Sequence, residues 1–337
     1  MFGGVSVPHV MGVDGGGSQT TVAIADERGH LVSVGRASGA NHQTIGIDAA
    51  VSHIDDAMQT ALTLAGLRPR DIAFVHYGVA GADRPRDFEI LNVGLARLRF
   101  SRWRAVSDAW EGLRAGTDDY VGVSLVCGSG TNAVGRNALG DEVQVGGFGY
   151  AFGDTAGGTH LAVETFRAAV RAYQGREVAT ELMRAVPQFL GCSDMEQVYN
   201  SFLDNDTDIP IDLARVLHRV ADGGDAVAQK ILSSMGRELG LAALAVLRQL
   251  PGIEEQPVIP LILIGSILQK GKSPFVLDTL AQTVQKRYPT VRLHLLDVPP
   301  VFGSVLLALD CLHLVADPLA RQTFRDWEES QNGEKRA

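Results

Sequence analysis

The order of elements in this 337-residue chain predicts an α/β fold of two related halves, each a mixed sheet flanked by helices, in two domains with a cleft between them. Three observations carry that expectation. A strand, a glycine turn, a second strand, a polar turn and a third strand open the chain, and the same order returns from Tyr120. Each copy then leads to a helix, as in a duplicated unit. Finally, 337 residues are more than one hydrophobic core usually serves.

Apolar alternation predicts strands near residues 9–13, 21–26 and 31–37, an antiparallel meander whose last turn is Glu27-Arg28-Gly29-His30. An amphipathic helix follows from Asp48 to Ala65, stopped by Gly66, and then a buried strand from Ile72 to Ala80. A helix over about residues 85–97, a strand Trp103–Val106 and a short helix capped by Ser107 or Asp108 complete the first half. The second copy reads as strand Val121–Cys127, turn Gly128-Ser129-Gly130-Thr131, strand Asn132–Arg136, turn Gly140-Asp141 and strand Glu142–Val145. Helical patterning holds from Thr155 to Leu250. A last α/β section has strands Val258–Ile264 and Val291–Leu296 and helices near 274–287, 301–314 and 317–328, with a frayed polar tail from Glu328. The expected domains are residues 8–118 and 119–314, the second with a helical insertion over 155–250, and a C-terminal helix at 315–330 packing back on the first.

The composition narrows the function. Hydrophobic residues make up 45% and charged residues 20%, as in an ordinary folded protein. The net charge is −9 with lysine and arginine scattered, so the basic footprint of a nucleic-acid or anionic-membrane binder is missing. Small-molecule chemistry is the expectation. Cys127, Cys192 and Cys311 are far apart without C-x-x-C spacing, which argues against a zinc site or a disulfide framework and fits a cytoplasmic location. The longest apolar run, Val258–Leu268, is too short to span a bilayer, and no membrane partner is expected. A homodimer is the default assembly, being the commonest among soluble chains.

The sharpest motif is Asp14-Gly15-Gly16-Gly17-Ser18-Gln19-Thr20 between two strands. Glycines there permit positive φ and let backbone N–H groups converge on an anion, with Asp14 beside a hydrated magnesium ion. Both common nucleotide fingerprints open onto a helix, whereas this turn returns into a strand. The second turn at Gly128 gives a pair of grips for the two ends of a polyphosphate. Gly128-Ser129-Gly130-Thr131-Asn132-Ala133 also matches the dinucleotide pattern, but a hairpin follows where a helix is required. Ser266-Ile267-Leu268-Gln269-Lys270-Gly271-Lys272-Ser273 falls one glycine short of a P-loop, with Asp297 as a conceivable second magnesium ligand. Asp108, at a helix start after a short strand, is the candidate general base, with helix capping as its structural alternative. Gly146-Gly147-Phe148-Gly149-Tyr150 with Gly153-Asp154 suits a sugar, as does Asn41 on its loop, though both also suit plain turns. His160 and Glu164, at i and i+4 without a third ligand, read as a surface pair.

Taken in order, Asp14-Gly15-Gly16-Gly17-Ser18, Asn41-His42, Gly78-Val79-Ala80-Gly81, Ser107-Asp108-Ala109, Gly128-Ser129-Gly130-Thr131-Asn132, Gly147-Phe148-Gly149-Tyr150 and Gly153-Asp154 resemble the N-acetylglucosamine kinases of the BadF/BadG/BcrA/BcrD group. That group lies within the actin, sugar kinase and Hsp70 superfamily. Gly265-Ser266-Ile267-Leu268 and Pro300-Val301-Phe302-Gly303-Ser304 extend the resemblance, which runs from about Met11 to Leu309. It implies a duplicated actin-like (ribonuclease H-like) ATPase fold and phosphorylation of the C6 hydroxyl of an amino sugar, N-acetylglucosamine or glucosamine, by ATP and Mg2+. By matching position, Gly15, Gly16, Gly17, Ser18, Gln19, Thr20, Gly128, Ser129, Gly130 and Gly158 would hold ATP phosphates. Gly265, Ser266 and Lys270 would lie by adenosine. Asp14 would carry Mg2+ through water. Asp108 would be the base, and Asn41, His42, Gly81, Thr131, Asn132, Gly147, Phe148, Gly149 and Asp154 would line the sugar site.

Two departures bear on the substrate. The family usually has tryptophan at Phe148 and Asp-Glu-Gly-Ser where this chain has Asp154-Thr155-Ala156-Gly157. Repressor-type sugar kinases resemble chains with a cysteine-rich zinc motif, and the iron–sulfur activators of the BadF type resemble chains with cluster cysteines; neither pattern is present. A non-catalytic nucleotide or sugar sensor is the other alternative, and the retained Asp108 argues against it.

Overall fold

The computed structural model describes residues 8–205, 207–271 and 273–334. It divides into two compact units, one made of the chain up to Ser124 plus the residues from Leu296 onward, the other Leu125–Leu295.

The first unit begins with β1 (His9–Gly15), β2 (Gln19–Ala25) and β3 (Leu31–Ser38), followed by helices α1 (His42–Ile45) and α2 (Ile47–Ala65). Next come β4 (Ile72–Val79), α3 (Pro85–Leu95), β5 (Trp103–Val106) and α4 (Asp108–Gly116). The sheet order is β3-β2-β1-β4-β5. β1 and β2 pair antiparallel with Gly15 opposite Thr20, so the expected hairpin is formed by a turn at residues 16–18. β4 lies parallel to β1 and β5 parallel to β4. The centre of this sheet is apolar on both faces, since Val10, Met11, Val13, Val22, Ile24 and Val75 are all fully buried. α2 ends where Gly66 adopts the left-handed conformation and its N–H caps the last turn. α3 starts with proline at its first turn and an Arg84–Asp87 capping box.

The second unit holds β6 (Gly122–Cys127, beginning just before the boundary), β7 (Thr131–Arg136) and β8 (Glu142–Gly146). Five helices follow: α5 (Gly158–Tyr173), α6 (Leu182–Leu190), α7 (Met195–Asn205), α8 (Leu213–Asp222) and α9 (Ala226–Leu247). The unit closes with β9 (Ile259–Ile264), α10 (Ser266–Gly271), α11 (Pro274–Gln285) and β10 (Val291–Leu295). Its sheet order, β8-β7-β6-β9-β10, repeats that of the first sheet strand for strand. Two such mixed sheets flanked by helices make a duplicated actin-like architecture.

The chain then returns to the first unit. α12 (Val301–Cys311), assigned to the second domain on sequence, packs on β1 and α4. A Cβ on Gly12 would lie 2.7 Å from Val305 N, so the helix backbone rests directly on the strand. α13 (Ala320–Glu334) packs back here: Thr323 Oγ1 accepts from Leu31 N, Phe324 packs on Phe302, and the Arg36 guanidinium lies over Trp327. The tail expected to fray from Glu328 is therefore helical through Glu334, anchored by the residues just before it.

Two further expectations are corrected. None of Gly15, Gly16, Gly17, Gly128 or Gly130 has a positive φ, so these turns do not use the left-handed freedom of glycine. Asp297 is tied to Arg321 and Arg325, a structural ion pair that removes it as a metal ligand for the near-P-loop.

Candidate active site

Parallel pairing sets Asp14 beside Gly78 and Gly78 beside Val106, at the carboxyl ends of β1, β4 and β5. Ligands of open α/β sheets collect at such ends. Asp108 is two residues beyond Val106, at the first position of α4, where Ser107 is the N-cap and its hydroxyl lies 3.4 Å from Asp108 Oδ1. Three strand ends thus carry Asp14 and Asp108 into one place although 94 residues separate them.

A third acid joins them. Glu111 is fully buried on α4, and it shares a side-chain hydrogen bond with Asp14. Ser304 Oγ on α12 lies 2.5 Å from Glu111 Oε2 and 3.1 Å from the Val13 carbonyl oxygen, hydrogen-bonded to both. Space for this acid is made by two glycines. A Cβ on Gly78 would sit 2.6 Å from the Glu111 carboxyl, and one on Gly303 would sit 1.7 Å from the Glu111 carbonyl oxygen.

The electrostatics follow from crowding. Burial raises Asp14 to about 6. Burial first, and the Asp14 charge second, raises Asp108 to about 6 as well. Glu111 is pushed well above the usual carboxylate range, by burial and then by Asp14. Asp14 and Asp108 keep part of their surface open whereas Glu111 has none, so the first two are the acids a ligand can reach.

The predicted sugar residues of the first unit form a second group. Asn41 Oδ1 accepts from Gln43 N and caps α1, and a Cβ on Gly81 would lie 2.6 Å from that oxygen. Gln43 Nε2 donates to the Gly81 carbonyl, closing the two loops on each other. His42 is buried, its Nε2 3.6 Å from Asp87. Burial holds His42 below its usual pKa, while the Arg84 fork on Asp87 lowers that acid to about 2.

In the second unit the Gly128 turn gathers most of the predicted nucleotide residues. Gly158 N donates to the Gly128 carbonyl at 2.8 Å, and Thr159 N to Ser129 O at 3.1 Å. A Cβ on Gly265, whose φ is 99°, would lie 2.3 Å from Cys127 O and 3.0 Å from Gly128 N, and Ser266 starts α10 beside it. A Cβ on Gly128 or Gly130 would meet nothing within 4 Å, so the smallness of these two residues serves no packing purpose. The Lys270 side chain lies outside the described residues. Asn132 pairs across the ladder with Gly146, next to Gly147, with Thr131 before it in β7. Asp154 Oδ2 accepts from Phe148 N and Gly149 N at 2.8 and 2.6 Å, folding that loop around one carboxylate. Phe148 is 47% exposed with Phe152 at its edge. His160 stacks on Tyr150 and Glu164 pairs with Arg167, an ordinary helix face.

Residues 11–308 match the BadF/BadG/BcrA/BcrD ATPase family. The chain belongs to that family. A relative from Clostridium acetobutylicum, an N-acetylmuramic acid/N-acetylglucosamine kinase, is 26% identical over 305 residues, which cover 89% of this chain and 98% of that protein. An N-acetyl-D-glucosamine kinase from Dictyostelium discoideum is 23% identical over 314 residues, 89% of this chain and 97% of that one. The solved structure of a Chromobacterium violaceum protein, proposed to be an N-acetylglucosamine kinase, superposes with a TM-score of 0.67 at 20% identity, over 90% of this chain and 99% of that one. No helix among the described residues of this BadF-family chain is long and apolar enough to cross a membrane.

Sequence reasoning passed over Glu111 and the role of Ser304. The available signal was the spacing from Asp108 to Glu111, three residues on one helix face. The partner that makes it significant, Ser304, is 193 positions away.

Proposed function

We propose that this protein is an ATP-dependent amino-sugar kinase that phosphorylates the C6 hydroxyl of N-acetylglucosamine or glucosamine. The observation that carries this reading is the convergence of Asp14 and Asp108, both partly open and both held near a pKa of about 6, at the carboxyl ends of adjacent parallel strands. The activities named for the Clostridium and Dictyostelium relatives support it.

Asp108 orients the acceptor hydroxyl and takes its proton as the new O–P bond forms and the bond from the γ-phosphorus to the bridging oxygen of ADP breaks. A base near its working pH suits this task, since it is ionised at neutral pH and still basic enough to accept a proton. Backbone N–H groups of the Gly15–Gly17 and Gly128–Gly130 turns bind phosphate oxygens, and the open space around Gly128 and Gly130 admits them. Asn41 and Asp154 bind sugar hydroxyls from their respective loops.

The donors fit Mg2+ held through water and phosphate oxygens. No group of three or more His, Cys, Asp or Glu able to hold a metal occurs among the described residues, and Mg2+ commonly uses one or two carboxylates plus substrate phosphates. Asp14 supplies the hard oxygen, and an ionised Asp14 in this crowded place needs a cation nearby. When bound, the ion neutralises charge on the transferred phosphate.

The test is a coupled ADP-release assay with N-acetylglucosamine, glucosamine, N-acetylmuramic acid and glucose, and phosphorus NMR of the product. Sugar-dependent ADP release with phosphate on C6 of an amino sugar is expected. Absence of release with every sugar, with nucleotide still bound, would make the protein a sensor instead.

A further inference from the structure

We propose that Glu111, braced by Ser304, is a positioning residue that fixes the orientation of the Asp14 carboxylate toward the metal; this rests on the kinase reading above.

Four observations point the same way. Glu111 has no exposed surface, yet it is an acid set next to two other acids, an arrangement that works against stability rather than for it. Its head group is held by Ser304 Oγ, 2.5 Å from Oε2, and shares a hydrogen bond with Asp14, while Oε1 is buried without a partner. Ser304 is itself fixed to the Val13 carbonyl, the peptide immediately before Asp14. The surroundings are shaped to this side chain, because any Cβ at Gly78 would strike its carboxyl and any Cβ at Gly303 would strike its backbone. Strand β1, helix α4 and helix α12 therefore meet through one carboxyl group. Asp14 is the next-to-last residue of β1, paired with Thr21 and Gly78, and its side chain keeps part of its surface open. Glu111 restrains it from behind while leaving the open side of Asp14 to the ligand.

The experiment compares Glu111→Gln, Glu111→Ala, Ser304→Ala and Asp14→Asn. Mn2+ binding to the enzyme–ADP complex is read by electron paramagnetic resonance, folding by circular dichroism, and kcat and sugar KM by ADP release. Glu111→Ala is expected to weaken Mn2+ binding by about tenfold or more, the range seen when a group orienting a metal ligand is removed, with sugar KM unchanged. Glu111→Gln keeps a donor for Asp14 and is expected to recover most of the loss. Ser304→Ala gives a smaller loss in the same direction and serves if Glu111→Ala does not fold. Normal Mn2+ binding in a folded Glu111→Ala or Ser304→Ala protein, or a Gln variant as impaired as Ala, overturns the inference. Asp14→Asn separates the two claims. If it abolishes metal binding while the Glu111 variants do not, only the positioning role fails; if it changes neither binding nor turnover, the kinase reading of the site fails.

Discussion

Asp14 is the next-to-last residue of β1, and in the second copy of the sheet Val126 holds that place in β6, with Cys127 after it at the strand's end. Their chemistry has diverged. Around Asp14 the first unit gathers Asp108, Glu111 and Ser304 into a crowded acidic site. Around Cys127 the second unit places the turn Gly128 to Gly130 together with Gly158 and Gly265, whose N–H donates to Gln269 Oε1, and burial pushes the thiol up to about 12 so that it stays neutral. In the proposed kinase, the duplicated fold divides its labour. One copy keeps groups that gain and lose protons, and the other keeps N–H donors and open space.

That division can be broken most severely at Asp108. Asp108→Asn is expected to lower kcat on the order of a hundredfold or more in the ADP-release assay. The same variant should melt higher than the parent protein at pH 8. A carboxyl whose folded-state pKa is raised to about 6 contributes stability in acid, and that contribution is lost as pH rises through about 6; the neutral amide has no such loss. A melting temperature that falls at pH 8 would show that the Asp108 charge is compensated rather than crowded.

The pH profile sharpens the contrast further. If Asp108 is the base, as proposed, it must be ionised to accept a proton, and kcat/KM should fall on the acid side with a midpoint near pH 6, reflecting Asp108 with Asp14 and Glu111 beside it. A midpoint near the ordinary carboxylate value of about 4 would contradict this. In the second unit, Asp154→Asn weakens two charge-assisted hydrogen bonds that shape the Phe148 loop, and sugar KM should rise about tenfold with ATP KM unchanged. Cys127→Ser should have the smallest effect, leaving the acid limb of the profile where it was; a displaced limb would mean that the thiol takes part in the titration.

Much of this architecture is legible in the sequence because it is local. The β1–β2 hairpin announces itself through period-2 apolar residues on both sides of a glycine run, and its second copy at Gly128 repeats the signal. Asp108 is visible as an acid at a strand-to-helix junction. The features that escaped are those made by distant pairs. Glu111 reads as an ordinary helix glutamate until Ser304 and Gly303 arrive from the far end of the chain. α12 reads as part of the second domain until Gly12 and Gly303 let it lie against β1 and α4. His42 enters only through the family resemblance, and the fold brings Asp87 to within 3.6 Å of its ring. The α1 turn is too short to carry any periodicity.

The division of labour itself is tested most directly by titrating a non-hydrolysable ATP analogue into Gly128→Val in a calorimeter, beside Asp108→Asn. A Cβ at Gly128 meets no atom of the described residues within 4 Å, so the variant is expected to fold, with its loss falling on the ligand. The account predicts nucleotide affinity weakened about tenfold or more for Gly128→Val and unchanged for Asp108→Asn. Undiminished affinity in a folded Gly128→Val protein would contradict it.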